Sequence, residues 1–349
     1  MVKDGVGKDR SRRSCFNKNN NGHKRMESFV GKIAVVTGGG SGMGRELVSQ
    51  LIAEGAHVAA CDVNEENLSE TKRLAEERGV GRITTHMCDV SDEKQQIEFR
   101  EQVKEQHGTQ HIDLLFNNAG IGVVGSIVHQ DRHQWERTFN ICWYGVYYGC
   151  TTFLPMLQAS NESHIINTSS VNGFWASIGP DLPHTAYCAA KFAVKGFTEA
   201  LITDLRLNAS NVHCSLVMPG HIGTSIVANS RRLVREDDAN EPSHAEVVRA
   251  RDLYLKSGSP VDNLPDEHIR EMLKQEAEDF RDKALTSAED AAAIILSGVK
   301  EKRWRILVGE DAEFVDKFVR EDPESAYELE FFERLAERQL WTMSGSDGN

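Results

Sequence analysis

The sequence lacks any uninterrupted apolar run of the ~20 residues that a membrane-spanning helix needs, and its first residues lack the apolar block of a signal peptide. Its seven cysteines form neither CxxC pairs nor the Cys and His spacings of zinc sites. These absences argue against a membrane protein, a disulfide-stabilised secreted protein and a zinc protein. We therefore expect reduced thiols, no metal, no membrane partner and a cytoplasmic location.

Beyond the amino terminus, acidic residues outnumber basic ones. The formal net charge is −13, although residues 1–25 carry eight Lys or Arg against two Asp. This polar, Asn-rich segment has no apolar periodicity and is typical of a disordered tail, although a basic tail can also serve as a nucleic-acid or membrane-surface arm. Because the remainder of the chain is strongly acidic, we expect no nucleic-acid partner.

What the 349-residue chain does have is an alternation of short apolar, β-rich runs with helical patterns from Gly31 onward. Strands that alternate with helices form parallel sheets with right-handed crossovers. The sequence predicts one α/β domain over residues 26–310, a doubly wound, mostly parallel seven-stranded sheet (a Rossmann fold). The predicted strands are Ile33 to Thr37, His57 to Cys61, Ile83 to Met87, Ile112 to Phe116, His164 to Asn167, Val212 to Val217 and Arg305 to Val308.

Two segments exceed this minimal plan. Residues 225–285 form a long charged insertion, which we expect to act as a substrate lid because long connections in compact domains are usually functional. Residues 311–349 form a C-terminal helical extension, expected to pack on the body or on a second subunit. The helical stripes that carry these predictions are Ile269, Met272, Leu273 and Phe280 in the lid, and Tyr327, Phe331 and Leu335 in the extension.

A glycine-rich turn follows the first predicted strand and opens a helix. Glycine at positions 38, 42 and 44 permits a tight turn and a close backbone approach to a pyrophosphate, and the helix N-terminus supplies amide donors. Asp62 ends the second strand 18 positions after Gly44, close to the ~20 at which an acid binds the adenosine ribose. A carboxylate there repels a 2′-phosphate, which favours NAD over NADP. Arg45 could counter this preference, and Asp62 could be an ordinary turn residue.

Tyr187 and Lys191 are the candidate proton-handling pair, because residues four apart share one face of a helix. A tyrosine with a pKa of ~10 is a poor base at neutral pH, and a nearby lysine cation would favour its phenolate. Ser170 follows the fifth predicted strand, at the carboxyl edge of the sheet where ligands bind. Its hydroxyl could hold a substrate oxygen, or it could only cap a turn.

These motifs together resemble the short-chain dehydrogenase/reductase superfamily over roughly Gly31 to Gly309. The resemblance implies hydride transfer between a nicotinamide cofactor and an alcohol or ketone without a metal. It implies that Ser170 binds the substrate oxygen, that Tyr187 exchanges the proton and that Lys191 holds the nicotinamide ribose. The residues expected at the cofactor are Gly38, Ser41, Gly42, Met43, Gly44, Asp62, Val63, Asp89, Val90, Asn117, Ala119, Gly120, Tyr187, Lys191, Pro219, Gly220, Ile222 and Thr224. Members of the family are commonly dimers or tetramers, so we expect a homo-oligomer.

Cys142 departs from the family pattern, because it stands where an asparagine normally completes the catalytic tetrad. Either the backbone carbonyl of Cys142 supports the proton relay, or the register bulges and Asn140 serves instead.

Phe174 and Trp175 are candidate substrate contacts, because they lie between the expected serine and tyrosine. If they line a pocket, the substrate is a bulky, lipophilic secondary alcohol or ketone; the alternative is that they belong to the core. Two other functions stay open. One is an NAD-binding protein with little catalysis that acts as a redox sensor or scaffold. The other is a thiol-based redox enzyme using Cys142 or Cys188, although neither has a resolving partner nearby.

Overall fold

The predicted apolar runs form the sheet of the protein. A computed structural model describes residues 26, 28–128, 132–234, 241–256 and 258–337, so the predicted tail and the end of the C-terminal extension lie outside the described residues. Within these ranges seven strands form one parallel sheet: β1 (Ile33–Thr37), β2 (His57–Asp62), β3 (Ile83–Met87), β4 (Leu114–Asn117), β5 (Ser163–Thr168), β6 (Val212–Pro219) and β9 (Arg305–Val308). Their order in the sheet is β3-β2-β1-β4-β5-β6-β9. The predicted α/β fold is confirmed.

The fourth strand differs most from its predicted bounds. It begins at Leu114 rather than at Ile112, because the amide of Ile112 donates to the carbonyl of Met156. The sheet register starts with Ala34 beside Leu114 and Val35 beside Leu115. The chain thus enters the sheet two residues later than the apolar run suggests.

Local signals set the helix ends. The side chains of Asn64, Asp92 and Ser287 accept the first free amides of three helices, and Gly108 ends one helix with a φ of 60°. The α-helices of the described residues are α1 (Gly42–Ala53), α2 (Glu65–Arg78), α3 (Glu93–His107), α4 (Arg132–Phe139), α5 (Gly145–Gln158), α6 (Thr185–Asn208), α7 (Ile226–Val234), α8 (His244–Lys256), α9 (Asp266–Asp282), α10 (Ala288–Lys300), α11 (Glu310–Glu321) and α12 (Leu329–Ala336).

Helices cover both faces of the sheet. Along β1, Ala34 and Val36 pack into a core with α1, α2 and α10, whereas Val35 packs into a core with α3, α5 and α6. Successive side chains of a strand point to opposite faces, so a strand that is covered on both sides must be apolar throughout. This explains why the runs read as continuous apolar segments rather than as alternating ones.

The described residues of the insertion at 225–285 form three helices, α7, α8 and α9, and a short strand pair, β7 (Ile222–Gly223) with β8 (Thr286–Ser287), lies at its base. The predicted amphipathic helix is α9. Its Ile269 and Leu273 are buried against Val247 of α8 in a small core of their own. Phe280 does not belong to this small core. The centre of its ring lies 4.2 Å from the centre of the His221 imidazole.

The C-terminal extension packs on the body of the domain. Phe331 and Leu335 of α12 are buried with residues of α11 and with Trp175. Tyr327 departs from the predicted stripe, because it precedes α12 and its ring is 57% exposed. Its hydroxyl accepts the amide of Ala176 at 3.1 Å. None of the helices in the described part of the chain combines the length and the apolar character needed to cross a membrane.

Candidate active site

The glycine-rich loop joins β1 to α1 at the carboxyl edge of the sheet. A Cβ on Gly44 would lie 1.9 Å from the carbonyl oxygen of Gly38, so only glycine allows the helix to approach the turn this closely. Gly38 has a φ of 65°, and a Cβ there would lie 2.8 Å from the Cα of Ala119. The loop therefore packs directly against the turn that follows β4, and the α1 amides face the space beside it.

A cleft runs along this loop, and twelve of the predicted cofactor residues line it: Gly38, Ser41, Gly42, Met43, Gly44, Asp62, Val63, Asp89, Val90, Ala119, Gly120 and Thr224. Sequence reasoning missed several others that the fold brings to the same cleft: Asn64, Asn67, Cys88, Asn118, Ile121, Arg137, Ile141, Ile226, Asn229, Arg232 and Leu233.

Asp62 lies at the edge of the cleft and is held by the backbone. Its carboxylate accepts the amides of Gly40 at 3.0 Å, Val63 at 2.8 Å and Asn64 at 3.1 Å. Burial raises the pKa of Asp62, while these amide bonds oppose the shift. Three donors favour a fixed carboxylate position, which is what recognition of two ribose hydroxyls requires.

Arg45 does not line the cleft. Its guanidinium donates to the carbonyl of Gly40 at 2.6 Å, to the carbonyl of Asn67 at 3.3 Å and to the hydroxyl of Thr71 at 3.0 Å. These bonds fix the arginine between the glycine loop and α2. The residue that could have countered the effect of Asp62 is thus engaged with neutral groups of the protein.

The turn after β4 corrects one prediction. The side chain of Asn117 points into the protein, where it donates to Asn167 at 2.9 Å, and the side chain at the cleft belongs to Asn118. Asn118 also donates its side-chain amide to the carbonyl of Thr37 at 3.1 Å. Neighbouring residues at a strand end face opposite sides, and the sequence did not reveal which of the two asparagines faces the cleft.

Of the four cofactor residues predicted at the end of β6 and just after it, one lines the described part of the cleft. Thr224 lines the cleft, but Pro219, Gly220 and Ile222 are not among its lining residues in the described ranges. Ile222 belongs to the core. Gly220 faces the buried carboxylate of Asp311, which would lie 2.2 Å from a Cβ at that position. Their expected contact with the nicotinamide stays a prediction.

Ser170, Tyr187 and Lys191 come together beside the cleft. The hydroxyl of Ser170 accepts the amide of Asn172 at 3.1 Å and lies near that of Tyr187, and the Nζ of Lys191 lies 5.4 Å from the centre of the Tyr187 ring. Lys191 is buried and donates to the carbonyl of Thr168 at 2.9 Å. A Cβ at Gly120, which lines the cleft, would lie 3.4 Å from the Lys191 Nζ. Lys191 therefore adjoins the cleft wall at Gly120, with Tyr187 next to it.

The electrostatics of this group correct an expectation. The pKa of Tyr187 lies well above its usual value, because burial disfavours the phenolate; the nearby Cys142 thiol raises it further, and the Ser170 hydroxyl lowers it. Burial also lowers the pKa of Lys191. In the free protein, Lys191 therefore does not offset the effect of burial on the pKa of Tyr187. A further positive charge is needed nearby before the tyrosine can act as a base.

Cys142 occupies the position next to this group. It lies in a π-helical turn, Asn140–Tyr144, so the backbone bulges here. Its buried thiol donates to the carbonyl of Ile121 at 3.3 Å, and it lies 3.8 Å from where a Cβ of Gly120 would be. The bulge is the condition under which Asn140 would serve, whereas the nearness of the Cys142 thiol to Gly120 supports Cys142, so both alternatives for the fourth position of the tetrad stay predictions. Burial raises the pKa of the thiol, so it is not a reactive thiolate.

Trp175 belongs to the core, which corrects the prediction that it contacts substrate. Its indole is fully buried and donates to the carbonyl of Ala326 at 2.8 Å. Phe174 is partly buried and packs against the same cluster as well as the sheet core. The C-terminal extension supplies these contacts, and nothing in the sequence near Trp175 signals that it would.

A doubly wound sheet with a glycine-rich loop and a Ser–Tyr–Lys group at one edge defines the class of Rossmann-fold dinucleotide-binding proteins. The model of the short chain dehydrogenase family matches residues 32–234. SadH of Mycobacterium tuberculosis, an oxidoreductase by name, is 33% identical over 297 residues, which cover 84% of this chain and 92% of that protein. Epidermal retinol dehydrogenase 2 of Mus musculus is 32% identical over 204 residues, which cover 58% of this chain and 64% of that protein.

Solved structures agree. A short chain dehydrogenase/reductase from Burkholderia phymatum in complex with NAD is 29% identical, with a TM-score of 0.69 over 86% of this chain and 96% of that one. A metagenomic short-chain oxidoreductase in complex with NADP is 30% identical, with a TM-score of 0.50 over 55% of this chain and 84% of that one. The chain belongs to the short chain dehydrogenase family and is an oxidoreductase of the kind that binds NAD or NADP.

Proposed function

We propose that this protein is an NAD-dependent dehydrogenase that interconverts a lipophilic secondary alcohol and its ketone. The observation that carries the proposal is the meeting of Ser170, Tyr187 and Lys191, with the Lys191 ammonium beside Gly120 in the cleft wall. A structural role alone does not account for a buried lysine bonded to a single carbonyl, because burying an ammonium is costly unless its remaining donors are used.

The residues divide the proton work between them. Ser170 donates a hydrogen bond to the substrate oxygen, and Tyr187 takes the hydroxyl proton during oxidation and returns it during reduction. Lys191 uses one donor on Thr168 and has two more for the ribose hydroxyls of the nicotinamide half. When bound, the oxidised nicotinamide supplies the hydride acceptor and the positive charge that the partly buried tyrosine needs. Since burial raises the pKa of Tyr187, oxidation should become faster as the pH rises.

The preference for NAD rests on Asp62 and Arg45. The Asp62 carboxylate repels a 2′-phosphate at the adenosine ribose. Arg45 donates to two backbone carbonyls and to the hydroxyl of Thr71, and it does not face the cleft. The relative from Burkholderia phymatum holds NAD, whereas the metagenomic relative holds NADP. The family therefore allows either cofactor, and the side chains of this chain favour the first.

The substrate proposal rests on apolar surroundings. Trp143 and Phe139 pack with Tyr187 in the same core cluster, and the relative from Mus musculus is named as a retinol dehydrogenase. A lipophilic alcohol gains from the burial of its carbon skeleton at such a wall. The three-helix insertion is proposed to enclose it as a lid.

The test measures NADH formation by absorbance at alkaline pH, with NAD or NADP and a panel of secondary alcohols from short aliphatic to steroidal. We expect turnover with NAD on bulky alcohols, and its loss in Tyr187→Phe. Activity confined to small polyols or sugars would contradict the lipophilic substrate. Binding of NAD without turnover on any alcohol would favour the alternative, a cofactor-binding sensor or scaffold. The replacement of the usual asparagine by Cys142 is the feature that supports this alternative.

We also propose that two copies associate through α5 and α6. Aromatic residues on these helices and in the π-helical turn before α5 are partly open to solvent: Tyr144 and Tyr147 are each 38% exposed and Phe192 is 39% exposed. Aromatic clusters of this kind are enriched in interfaces. Analytical ultracentrifugation should show a dimer or tetramer, which Tyr147→Glu weakens and Val80→Glu, at a 99% exposed valine, leaves unchanged. A monomer at tens of micromolar would contradict the proposal.

A further inference from the structure

Helix α7 of the insertion lies beside the cleft and is hydrogen-bonded to the protein on both sides of it. On one side, the side-chain amide of Asn229 donates to the hydroxyl of Ser41 in the glycine loop at 3.2 Å. On the other side, the amide of Gly122 donates to the hydroxyl of Ser230 at 2.8 Å. The helix thus touches both the loop and the turn after β4, and its side chains form a third wall of the cleft.

The two adjacent arginines of α7 have different surroundings. Arg232 lines the cleft, and its guanidinium donates to the side-chain oxygen of Asn229 at 3.1 Å. Arg231 faces the insertion instead, where it donates to the carbonyl of Leu273 at 3.1 Å and lies 3.7 Å from Glu246. Successive residues of a helix point about 100° apart, so Arg231 contacts the insertion while Arg232 faces the cleft.

The described part of the cleft offers Arg232 no anionic partner. Among the described residues, four charged ones line the cleft. Arg137 is paired with Asp89 at 2.7 Å, and Asp62 accepts three backbone amides. Among the described residues, Arg232 has no carboxylate within the 4.0 Å of an ion pair. Without Arg232 the lining would carry a net negative charge, which opposes any anionic ligand.

We infer that Arg232 binds the pyrophosphate of the dinucleotide. The inference rests on the proposed function and adds a specific residue of the insertion to the cofactor site. A guanidinium presents a planar fork of donors that matches phosphate oxygens. The bonds from Arg232 to Asn229 and from Asn229 to Ser41 place this fork next to the loop whose amides face the same phosphates. The insertion therefore takes part in cofactor binding and does not only cover the substrate.

The test titrates cofactor fragments into the full-length protein by calorimetry, with no catalytic readout. ADP-ribose carries the pyrophosphate, and adenosine lacks it. We expect Arg232→Gln to weaken ADP-ribose binding about 10- to 100-fold, as for a lost hydrogen bond to a charged group, and to leave adenosine binding unchanged. Arg232→Lys, which keeps the charge but loses the planar fork, should bind ADP-ribose more weakly than the native protein and more tightly than Arg232→Gln. The matched control Arg231→Gln should bind ADP-ribose like the native protein.

Three outcomes would overturn the inference. Arg232→Gln could bind ADP-ribose as the native protein does, or it could lose adenosine and ADP-ribose to the same extent. It could also lose only 2′-phospho-ADP-ribose, which would make Arg232 a 2′-phosphate ligand. Failure of the native protein to bind ADP-ribose at all would instead contradict the proposed function, so the two failures are distinguishable.

Discussion

The position of Trp175 predicts that the C-terminal extension is an integral part of the domain. The indole is fully enclosed between the segment after Ser170 and helices α11 and α12, with ring centres of Phe331 and Phe332 at 5.8 and 5.7 Å. Its N–H donates to the carbonyl of Ala326 at 2.8 Å. Replacing Trp175 therefore removes both packing and a buried hydrogen bond.

The magnitudes follow from these two contacts. Trp175→Phe keeps most of the ring packing but leaves the Ala326 carbonyl without its donor, which should cost about 1–3 kcal/mol in the free energy of unfolding. Trp175→Ala also opens a cavity and should cost about 3–5 kcal/mol. Trp304 offers a matched control because its side chain is 47% exposed. Trp304→Phe should change the free energy by less than about 0.5 kcal/mol.

The assay is denaturant unfolding, with limited proteolysis as a second readout. The Trp175 variants should unfold at lower denaturant and release a fragment beyond Gly309, while Trp175→Phe keeps the native KM for an alcohol substrate. A KM that rises several-fold with no loss of stability would refute the reasoning. It would return Trp175 to the pocket wall that the sequence first suggested.

Three further predictions concern the cofactor preference, the fourth position of the tetrad and the pH dependence of stability. Asp62→Ser should shift the ratio of NADP to NAD affinity at least tenfold toward NADP in fluorescence titrations, and Glu65→Gln, at an exposed residue outside the cleft, should not. Cys142→Asn should keep kcat within about threefold by steady-state assay if the backbone carbonyl carries the relay, and a gain beyond tenfold would show that the asparagine side chain is needed. Burial lowers the pKa of His164 to about 3, so its contribution to stability is complete above the unfolded value of ~6.5 and is lost as the pH falls below it. Between pH 6.5 and 5 the free energy of unfolding of the native protein, measured in urea, should fall by roughly 2 kcal/mol more than that of His164→Gln. Equal decreases in the two proteins would contradict this.

The features that the sequence predicted correctly are the local ones. The strand runs and the glycine turn carry their structural signal within a dozen residues, because burial on both sheet faces demands continuous apolar strands and close packing demands glycine. Ser170, Tyr187 and Lys191 share one sheet edge, so the fold alone brings them near one another.

The features that the sequence did not reveal depend on distant contacts. Asn229 and Ser41 are 188 positions apart, and Trp175 meets Ala326 across 151 positions. No periodicity encodes such pairs. The raised pKa of Tyr187 was missed for a related reason, since burial is a property of the assembled fold and outweighs a lysine one turn away.

The central claim is that Tyr187 exchanges a proton while the carbinol hydrogen of an alcohol moves to the nicotinamide. The most direct measurement supplies NAD and a bulky secondary alcohol deuterated at the carbinol carbon, then examines the NADH by mass spectrometry. The account predicts one deuterium in the NADH, and loss of this transfer in Tyr187→Phe with ADP-ribose binding intact. NADH without deuterium, or undiminished transfer in Tyr187→Phe, would contradict it.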